Sequence, residues 1–566
     1  MNPIEPFAHS PRVAYFSMEI ALQDEIPTYS GGLGVLAGDT LRSAADLELP
    51  LVGVTLVSRA GYFKQQLDAE GNQTELPDPW DPARWATPLL ARVAVAIEDR
   101  TVWIQAWLYV LQGGTSGAIP VILLDTDLDT NSAADREITH TLYGDGPTYR
   151  LKQEVVLGIG GLRMLQALGL TIHTYHMNEG HSAFLALELL VRNERAPTDL
   201  RAGESPYDLA RVREQCIFTT HTPVEAGHDQ FGYDLVKQVL TDTVDVEELK
   251  KLAGPSRLNM TRLALSLSGY VNGVAKRHAE VSSHLFPGYR VHAITNGVHP
   301  RRWTSESFAA LYDRHLPNWQ HEPEILVRAD QMADDEVWSA HQAAKQALID
   351  FVQKQSGVAL SLNAPIIGFA RRMTSYKRPE LLLSDPQRLR KLNGEFPLQI
   401  VMAGKAHPKD EPGKDLIRFI HQRIHELRDA LRIVFLPDYR LSSALFMVSG
   451  ADVWLNTPLR PLEASGTSGM KAAFNGVINL SVLDGWWLEG HIEGVTGWSV
   501  GSSSSFDANG DDANALFEKL EQHVLPTYYR NRARWVSIMK GAIAKNAYYF
   551  NSHRMMRRYT TEAYLR

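Results

Sequence analysis

The sequence predicts an α/β protein: two doubly wound, Rossmann-like domains facing each other across a cleft. Three observations predict it. Short β-branched runs alternate with longer stretches of helical period. The alternation occurs twice, with a polar interruption between the two series. The chain has 566 residues, which at roughly 150 per domain excludes a single small module.

The first series opens with VAYFSME at Val13 and runs through LVGVTLVS, VWIQAWLYVL and AIPVILLDTDL to an amphipathic stretch at 150–168. HTYHMNEG then leads into SAFLALELLV, CIFTTHTPV reads as another buried strand, and the series closes near VHAITNGVHPRRW. LLARVAVAI carries an arginine and is shorter than the roughly 20 apolar residues of a membrane span, so it reads as a core strand. From Thr304 to about Glu336 the chain is polar and irregular, and the interdomain connection is expected there. The second series is PIIGFARR, PLQIVMAGK, RIVFLPDYR, ADVWLNTP and GVINLSVLDG, spaced widely enough for crossover helices and hence for a parallel sheet. A solvated loop is expected at 501–514, and ARWVSIMKGAIAK is helical by period. The expected division is residues 1–310, residues 311–540, and a C-terminal helix at 541–566 returning to the first domain.

Composition narrows the function. Fifty-seven basic against 65 acidic residues give a net charge of −8. That lacks the basic excess of a nucleic-acid or anionic-membrane binder, so any anion site must be local. A lone Cys216 forms no intrachain disulfide or cysteine-rich zinc site, and the N-terminus lacks the basic patch and apolar run of a signal peptide. The expectation is a cytoplasmic protein without nucleic-acid or membrane partners.

The densest chemical signal is EASGTSGMK at 463–471, after a buried strand and before a helical segment. Small residues admit a ligand close to the backbone, free N–H groups bind anions, and Lys471 offers an ammonium or a Schiff-base amine. The alternative is a tight turn with a solvated lysine. Gly31-Gly32-Leu33-Gly34 opens a helical pattern and could cradle an anion, although it is neither a P-loop nor GxGxxG. Arg371, Arg372, Lys377 and Arg378 gather past the strand PIIGFA, at the ligand-facing end of the second sheet, where a solvated charged turn is the other reading. His173, His176 and His181 match no zinc spacing, so no metal is expected. His221, at the end of CIFTT, stands where a strand delivers residues to the cleft; a core histidine is the bland alternative. No GxSxG elbow and no placeable carboxylate pair occur, and Trp486 and Trp487 could line a sugar platform or belong to the core.

Together these residues resemble the α-glucan phosphorylase family, the glycogen, starch and maltodextrin phosphorylases. Ordered blocks carry the resemblance: YFSMEI with GGLG, YRLKQE at 149–154, THTPVEA at 220–226, ITNGVHPRRW at 294–303, ARRMTSYKR at 370–378, DYR at 438–440, and EASGTSGMK through LDG at 463–485. The resemblance implies the two-domain GT-B glycosyltransferase architecture, with a glucan-binding first domain and a pyridoxal-phosphate second domain. It implies that Lys471 holds pyridoxal 5′-phosphate as a Schiff base, that Tyr439 and Arg440 belong to the cofactor pocket, and that Thr467, Arg371 and the Gly32 amide surround its 5′-phosphate. Gly32, Arg372 and Lys377 would hold the substrate phosphate. Leu33 backbone, His221, Asn296, Tyr376, Glu463, Ala464, Ser465 and Gly466 would read the sugar, and His221, Arg372, Lys377 and Lys471 would serve catalysis.

The reaction so implied is retaining, reversible phosphorolysis of α-1,4-glucans to α-glucose 1-phosphate, with the cofactor phosphate relaying a proton to inorganic phosphate. Two adjacent phosphates repel, and the arginines, Lys377 and helix N-terminal amides would supply the compensating potential. The chain departs from many relatives at Met373-Thr374-Ser375 and at Ser468-Gly469, with the charges kept, and Asp145 in TLYGDGP does not align with the family's sugar-contacting loop. Rival readings are a nucleotide-sugar glucan synthase of the same architecture, which needs no cofactor lysine, and a silent glucan-binding protein, which needs none of Arg372, Lys377 and Lys471. An absorption spectrum would separate them. Because the first strand is expected at Val13, regulation by AMP or by phosphorylation of an N-terminal extension is expected to be absent, with any homo-oligomer built from other surfaces.

Overall fold

The computed structural model describes residues 3–565 apart from 115, 196–197, 199, 202–203, 225–226, 241–244 and 502–508; the last two residues of the 220–226 block therefore lie outside the described residues. The first half builds a nine-stranded sheet from β1 (Val13–Ser17), β2 (Leu51–Leu56), β3 (Thr87–Ile97), β4 (Arg100–Gln112), β5 (Ala118–Asp125), β6 (Thr174–Asn178), β7 (Cys216–Thr219), β8 (Tyr270–Gly273) and β9 (His292–Ala293). Their order is β9-β8-β7-β6-β1-β2-β5-β4-β3. β1 lies centrally, with Val13 opposite Leu51 on one side and Thr174 on the other, both pairings parallel. Layers on both faces explain why β1 and β2 are apolar runs without alternation: every residue of each is buried. The chain leaves β1 toward β2 and later returns to β6 on the opposite side. The carboxyl ends of β1 and β6 thus form the switch point where such sheets bind ligands.

One strand expectation needs correction. LLARVAVAI lies within β3, an outer strand paired antiparallel with β4, which in turn pairs antiparallel with β5. Val95 and Ile97 are buried while Arg92 and Ala96 are exposed, so the strand covers one face of a core and is not itself a core strand.

The second half builds a six-stranded, wholly parallel sheet from β10 (Ile366–Ala370), β11 (Gln399–Ala403), β12 (Arg432–Leu436), β13 (Val453–Asn456), β14 (Ile478–Val482) and β15 (Gly497–Val500), in the order β12-β11-β10-β13-β14-β15. Its switch point lies between β10 and β13. Arg371 and Arg372 follow β10, and the loop to Glu463 follows β13.

Helices complete the layers: α1 (Gly32–Asp46), α2 (Pro300–Trp303), α3 (Glu306–His315), α4 (Asp334–Ser356), α5 (Ser468–Ala473), α6 (Asn509–Lys519) and α7 (Ser552–Tyr559) are the ones that matter to the site. Residues 304–336, expected to be irregular, are largely helical. Ser305 caps α3 by accepting the Phe308 amide, and Phe308, Leu311 and Tyr312 bury one face of it. Of the polar residues that suggested a linker, Glu306, Asp313, Arg314 and His315 are the wet face of that helix, and Asp334, Asp335 and Glu336 open α4. Likewise α6 begins at Asn509, inside the expected loop at 501–514, whose residues 502–508 lie outside the described residues. Trp486 and Trp487 are buried and packed on each other, which makes them core and not a sugar platform. At the C-terminus, Ser552 Oγ and His553 Nδ1 meet Ser43 Oγ of α1 at 2.6 and 2.9 Å, and Tyr564 Oη meets His176 Nδ1 at 2.8 Å.

Candidate active site

The glycine turn at the start of α1 faces the end of β10. Gly32 is exposed, and a Cβ there would meet nothing within 4 Å. Gly34, by contrast, is packed: its Cβ would lie 2.6 Å from Glu19 Oε2. The first-turn amides of a helix have no intrahelical acceptor, so this end offers N–H groups and a positive dipole to an anion. Arg372 approaches the same turn, with Nη2 3.3 Å from where a Gly31 Cβ would sit, and reaches the solvent of the cleft. Enclosure alone would weaken its charge, but Tyr62, Glu19 and Tyr376 more than offset this and its pKa is raised.

Glu463 joins the neighbouring cations. Its Oε2 lies 2.9 Å from Arg371 Nη2 and 2.5 Å from Lys377 Nζ, and the Lys377 ammonium sits 4.5 Å from the centre of the Tyr376 ring. Burial would push the Glu463 carboxyl up, yet the two cations outweigh it and hold the pKa below the usual range. The loop needs Gly466 at φ +77, where a Cβ would also press within 3.4 Å of Arg371 Nη2 and the Glu463 side chain. Asp484 fastens this loop from below, accepting the Glu463 and Gly485 amides at 2.9 Å each. Its pKa is pushed up to about 6, chiefly by burial.

Lys471 lies on α5, one turn past Thr467, whose carbonyl accepts the Lys471 amide. The side chain is buried, with Nζ 3.9 Å from the centre of the Trp303 ring. Burial drives its pKa down to about 8, with Arg302 acting in the same sense and Asp39 opposing. Asp39 Oδ2 also accepts the Trp303 indole N–H at 2.7 Å, which fixes the ring beneath the amine.

On the first-half wall, His221 follows β7. Its Nε2 meets Asn178 Oδ1 at 2.6 Å, and Asn178 Nδ2 donates to Ser17 Oγ. This network puts the proton on Nε2 and leaves Nδ1 as an acceptor. Burial pushes the pKa down to about 3, so the ring is neutral at physiological pH. Asn296 Oδ1, Ser465 Oγ and Arg371 Nη1 are buried and have no partner among the described residues. Leu33 stands in the first turn of α1, and Ala464 is half-buried in the Glu463 loop. Tyr439 lines a small cavity between the halves with Tyr29 and Tyr62; burial pushes its hydroxyl pKa up, with Arg371 opposing. Arg440 is engaged by Asp78 at 2.9 Å and by Asp438 at 2.7 Å. Asp145 pairs with Lys409 of the second half.

Sequence reasoning missed Glu19, Tyr143, Asp484 and Trp303. Trp303 and Glu19 stand inside matched blocks, so position in a block was the available signal; Asp484 stands in LDG. Among the described residues one group could be read as metal ligands: Asp46, His299 and His553. His299 Nδ1 accepts the Arg302 amide at 3.2 Å, so Nε2 bears the proton it gives to Asp46 Oδ2 at 2.7 Å. A ring nitrogen already carrying a proton has no lone pair for a cation.

Comparison with known proteins places this geometry. Residues 214–495 match the family model described as carbohydrate phosphorylase. The chain is 40% identical to a maltodextrin phosphorylase of Thermococcus litoralis, over 98% of this chain and 70% of that protein. It is 36% identical to a glycogen phosphorylase of Mycobacterium tuberculosis, with the same coverage, and 35% identical to a glycogen phosphorylase of Aquifex aeolicus over 98% of this chain and 86% of that protein. With relatives 35–40% identical over 98% of this chain, and with the family model matching residues 214–495, this chain belongs to the carbohydrate phosphorylase family.

Proposed function

We propose that the protein catalyses reversible, retaining phosphorolysis of α-1,4-glucans to α-glucose 1-phosphate, with pyridoxal 5′-phosphate held at Lys471. The observation that carries this reading is a buried lysine of lowered pKa one helical turn past the Gly466 loop, which packs against Arg371, whose Nη1 is unpartnered among the described residues. The residues suit the cofactor. An amine with a pKa of about 8 is far more available to an aldehyde than one at 10.5, the flat Trp303 face borders it, and Arg371 Nη1 awaits an acceptor. When bound, the cofactor supplies a phosphate that acts as a proton carrier beside the substrate phosphate.

The chain's own groups do the rest. Lys471 anchors the cofactor. Thr467, Arg371 and the Gly32 amide would hold its phosphate, with Tyr439 and Arg440 bordering the pocket. Gly32, Arg372 and Lys377 bind inorganic phosphate, keep it anionic and hold it against the sugar. Glu463 already offers a carboxylate to two cations, and an incoming phosphate competes for them, freeing Glu463 for sugar hydroxyls together with Ser465, Gly466 and the Ala464 backbone. Neutral His221 presents Nδ1 as an acceptor, while Asn296, Tyr376 and the Leu33 backbone complete the sugar wall. The rising positive charge on the sugar is met by the phosphate anion held on the same face, which accounts for retention without a protein carboxylate pair. Glucan is assigned to the domain at 1–310 and the cofactor to that at 311–540, with 541–566 returning to the first. No helix among the described residues is long and apolar enough to cross a membrane.

The test is direct. Purified protein with maltooligosaccharide is expected to release glucose 1-phosphate only when inorganic phosphate is present, and to run backwards from glucose 1-phosphate without any nucleotide. Free glucose as the main product, or dependence on a nucleotide sugar, overturns the reading. A second prediction separates the two substrates. Arg372→Ala and Lys377→Ala each remove a charge-assisted contact of about 1.5–3 kcal/mol, or about ten- to a hundredfold in phosphate use. Initial rates at varied phosphate and varied glucan are expected to show this loss in the phosphate series. An equal loss in both series speaks against the assignment.

A further inference from the structure

We infer that Glu19 is the positioning residue for the phosphate-binding turn, resting on the phosphorolysis reading above. Glu19 leaves β1 at the switch point of the first sheet and is 1% exposed. Its Oε2 accepts the Ser30 amide at 2.6 Å and the Gly31 amide at 3.1 Å. Its Oε1 accepts the Tyr143 hydroxyl at 2.8 Å, and Ser30 Oγ stands 3.2 Å from both oxygens. A buried carboxylate is tolerated only when its lone pairs are filled, and here backbone amides and hydroxyls fill them.

The geometry decides which amides the cleft can use. Ser30 and Gly31 give their N–H groups downward to Glu19, so the next amide, that of Gly32, is the first left for a ligand. The turn cannot slide over the carboxylate, because Gly34 already packs so closely that a Cβ would lie 2.6 Å from Oε2. Arg372 also borders Gly31, with Nη2 3.3 Å from the position of a Cβ. The Gly31 backbone is thus held at its N–H by Glu19 and bordered at its Cα by a phosphate-binding arginine. Through Oε1 the same carboxylate holds Tyr143, a residue at φ +54 that opens the loop carrying Asp145. The Arg150 guanidinium lies 4.5 Å from the centre of the Tyr143 ring and steadies it from the YRLKQE block. Two loops far apart in sequence are therefore set by one side chain that touches neither sugar nor phosphate.

The test compares Glu19→Ala, Glu19→Gln and Tyr143→Phe with wild type, each checked by thermal melting. Glutamine can offer its carbonyl to the Ser30 and Gly31 amides and its NH2 group to Tyr143 Oη, so it replaces the acceptor geometry without the charge. Glu19→Ala is expected to raise half-saturating phosphate about tenfold or more with half-saturating maltooligosaccharide changed less than about twofold. Glu19→Gln is expected to recover most of that loss. Tyr143→Phe, which keeps the buried ring, is expected to show a smaller shift of the same kind and serves if Glu19→Ala does not fold. Amide hydrogen exchange across residues 30–34, measured without substrate, is expected to accelerate in Glu19→Ala and not in Glu19→Gln. Equal effects on phosphate and glucan, or Glu19→Gln as impaired as Glu19→Ala with exchange unchanged, overturn the inference. Because exchange requires no turnover, failure of the phosphorolysis reading would show separately, as absent activity in wild type with the exchange pattern intact.

Discussion

Lys471→Ala is expected to lose the pyridoxal chromophore and phosphorolysis together. Among the described residues the other buried lysines are committed, Lys345 to Asp452 and Lys377 to Glu463, and the half-buried Lys405 pairs with Asp438. Lys471 instead lies against an indole face with its pKa down at about 8. Near pH 7 roughly a tenth of such an amine is neutral, against roughly one part in a few thousand for an ordinary lysine. Capture of added pyridoxal 5′-phosphate by cofactor-free protein should therefore speed up with pH, reach half its limit near pH 8 and level off about one unit above, where the folded amine has lost its proton. The readouts are the absorbance band, and the mass of a borohydride-fixed adduct mapped to the peptide containing residue 471. A Lys471→Ala protein that retains a stoichiometric fixed adduct, or a wild-type capture rate that keeps climbing to pH 10, would contradict the assignment.

Much of this arrangement was legible in the sequence because it is local. The buried runs of β1, β2 and β10 read as strands of a doubly wound fold, and EASGTSGMK read as a turn of small residues leading into a helix, which begins at Ser468. What stayed hidden depends on partners distant in the chain. Glu19 acquires its role from the amides of Ser30 and Gly31 and from Tyr143, and nothing in YFSMEI states that its carboxylate turns inward. Asp484 is equally silent until its oxygens are seen on the Glu463 and Gly485 amides. The helical character of 304–336 was masked because the charged residues of α3 cluster at its two ends, Glu306 at the start and Asp313 and Arg314 at the finish, and read as loop. The antiparallel β3 misled for the opposite reason: an apolar run with a single arginine looks like a core strand until its alternating exposure is known. The blocks behind the family resemblance identified the family, while the hydrogen bonds that hold these loops in shape needed the fold.

The largest expected stability effect lies beneath the second sheet, at Asp452. Its Oδ2 sits 2.8 Å from Lys345 Nζ and accepts the Ile366 amide at 2.8 Å, and its Oδ1 meets His341 Nε2 at 2.9 Å. Asp452, Lys345 and His341 are all 1% exposed or less. Burial alone would raise the carboxyl pKa, but Lys345 and His341 outweigh it and hold the group down at about 2. Asp452→Ala leaves a buried ammonium without its counter-charge, a change that costs about 3–5 kcal/mol. The effect reaches the cation cluster, since the Ile366 amide starts β10, which Arg371 follows, and Asp452 itself precedes β13, which leads to the Glu463 loop. The sign of the pH dependence follows from the lowered pKa. The stabilisation is complete above about pH 4, the unfolded value, and drains away as pH falls through about 2. Urea unfolding followed by tryptophan fluorescence should therefore show Asp452→Ala well below wild type at pH 7, with the gap narrowing from pH 4 downward as wild type alone gives up its carboxylate. A gap under about 1 kcal/mol at pH 7, or one that widens in acid, would mean that Lys345 finds another partner or is neutral in the folded protein, and that the ion pair does not hold these two strands in place.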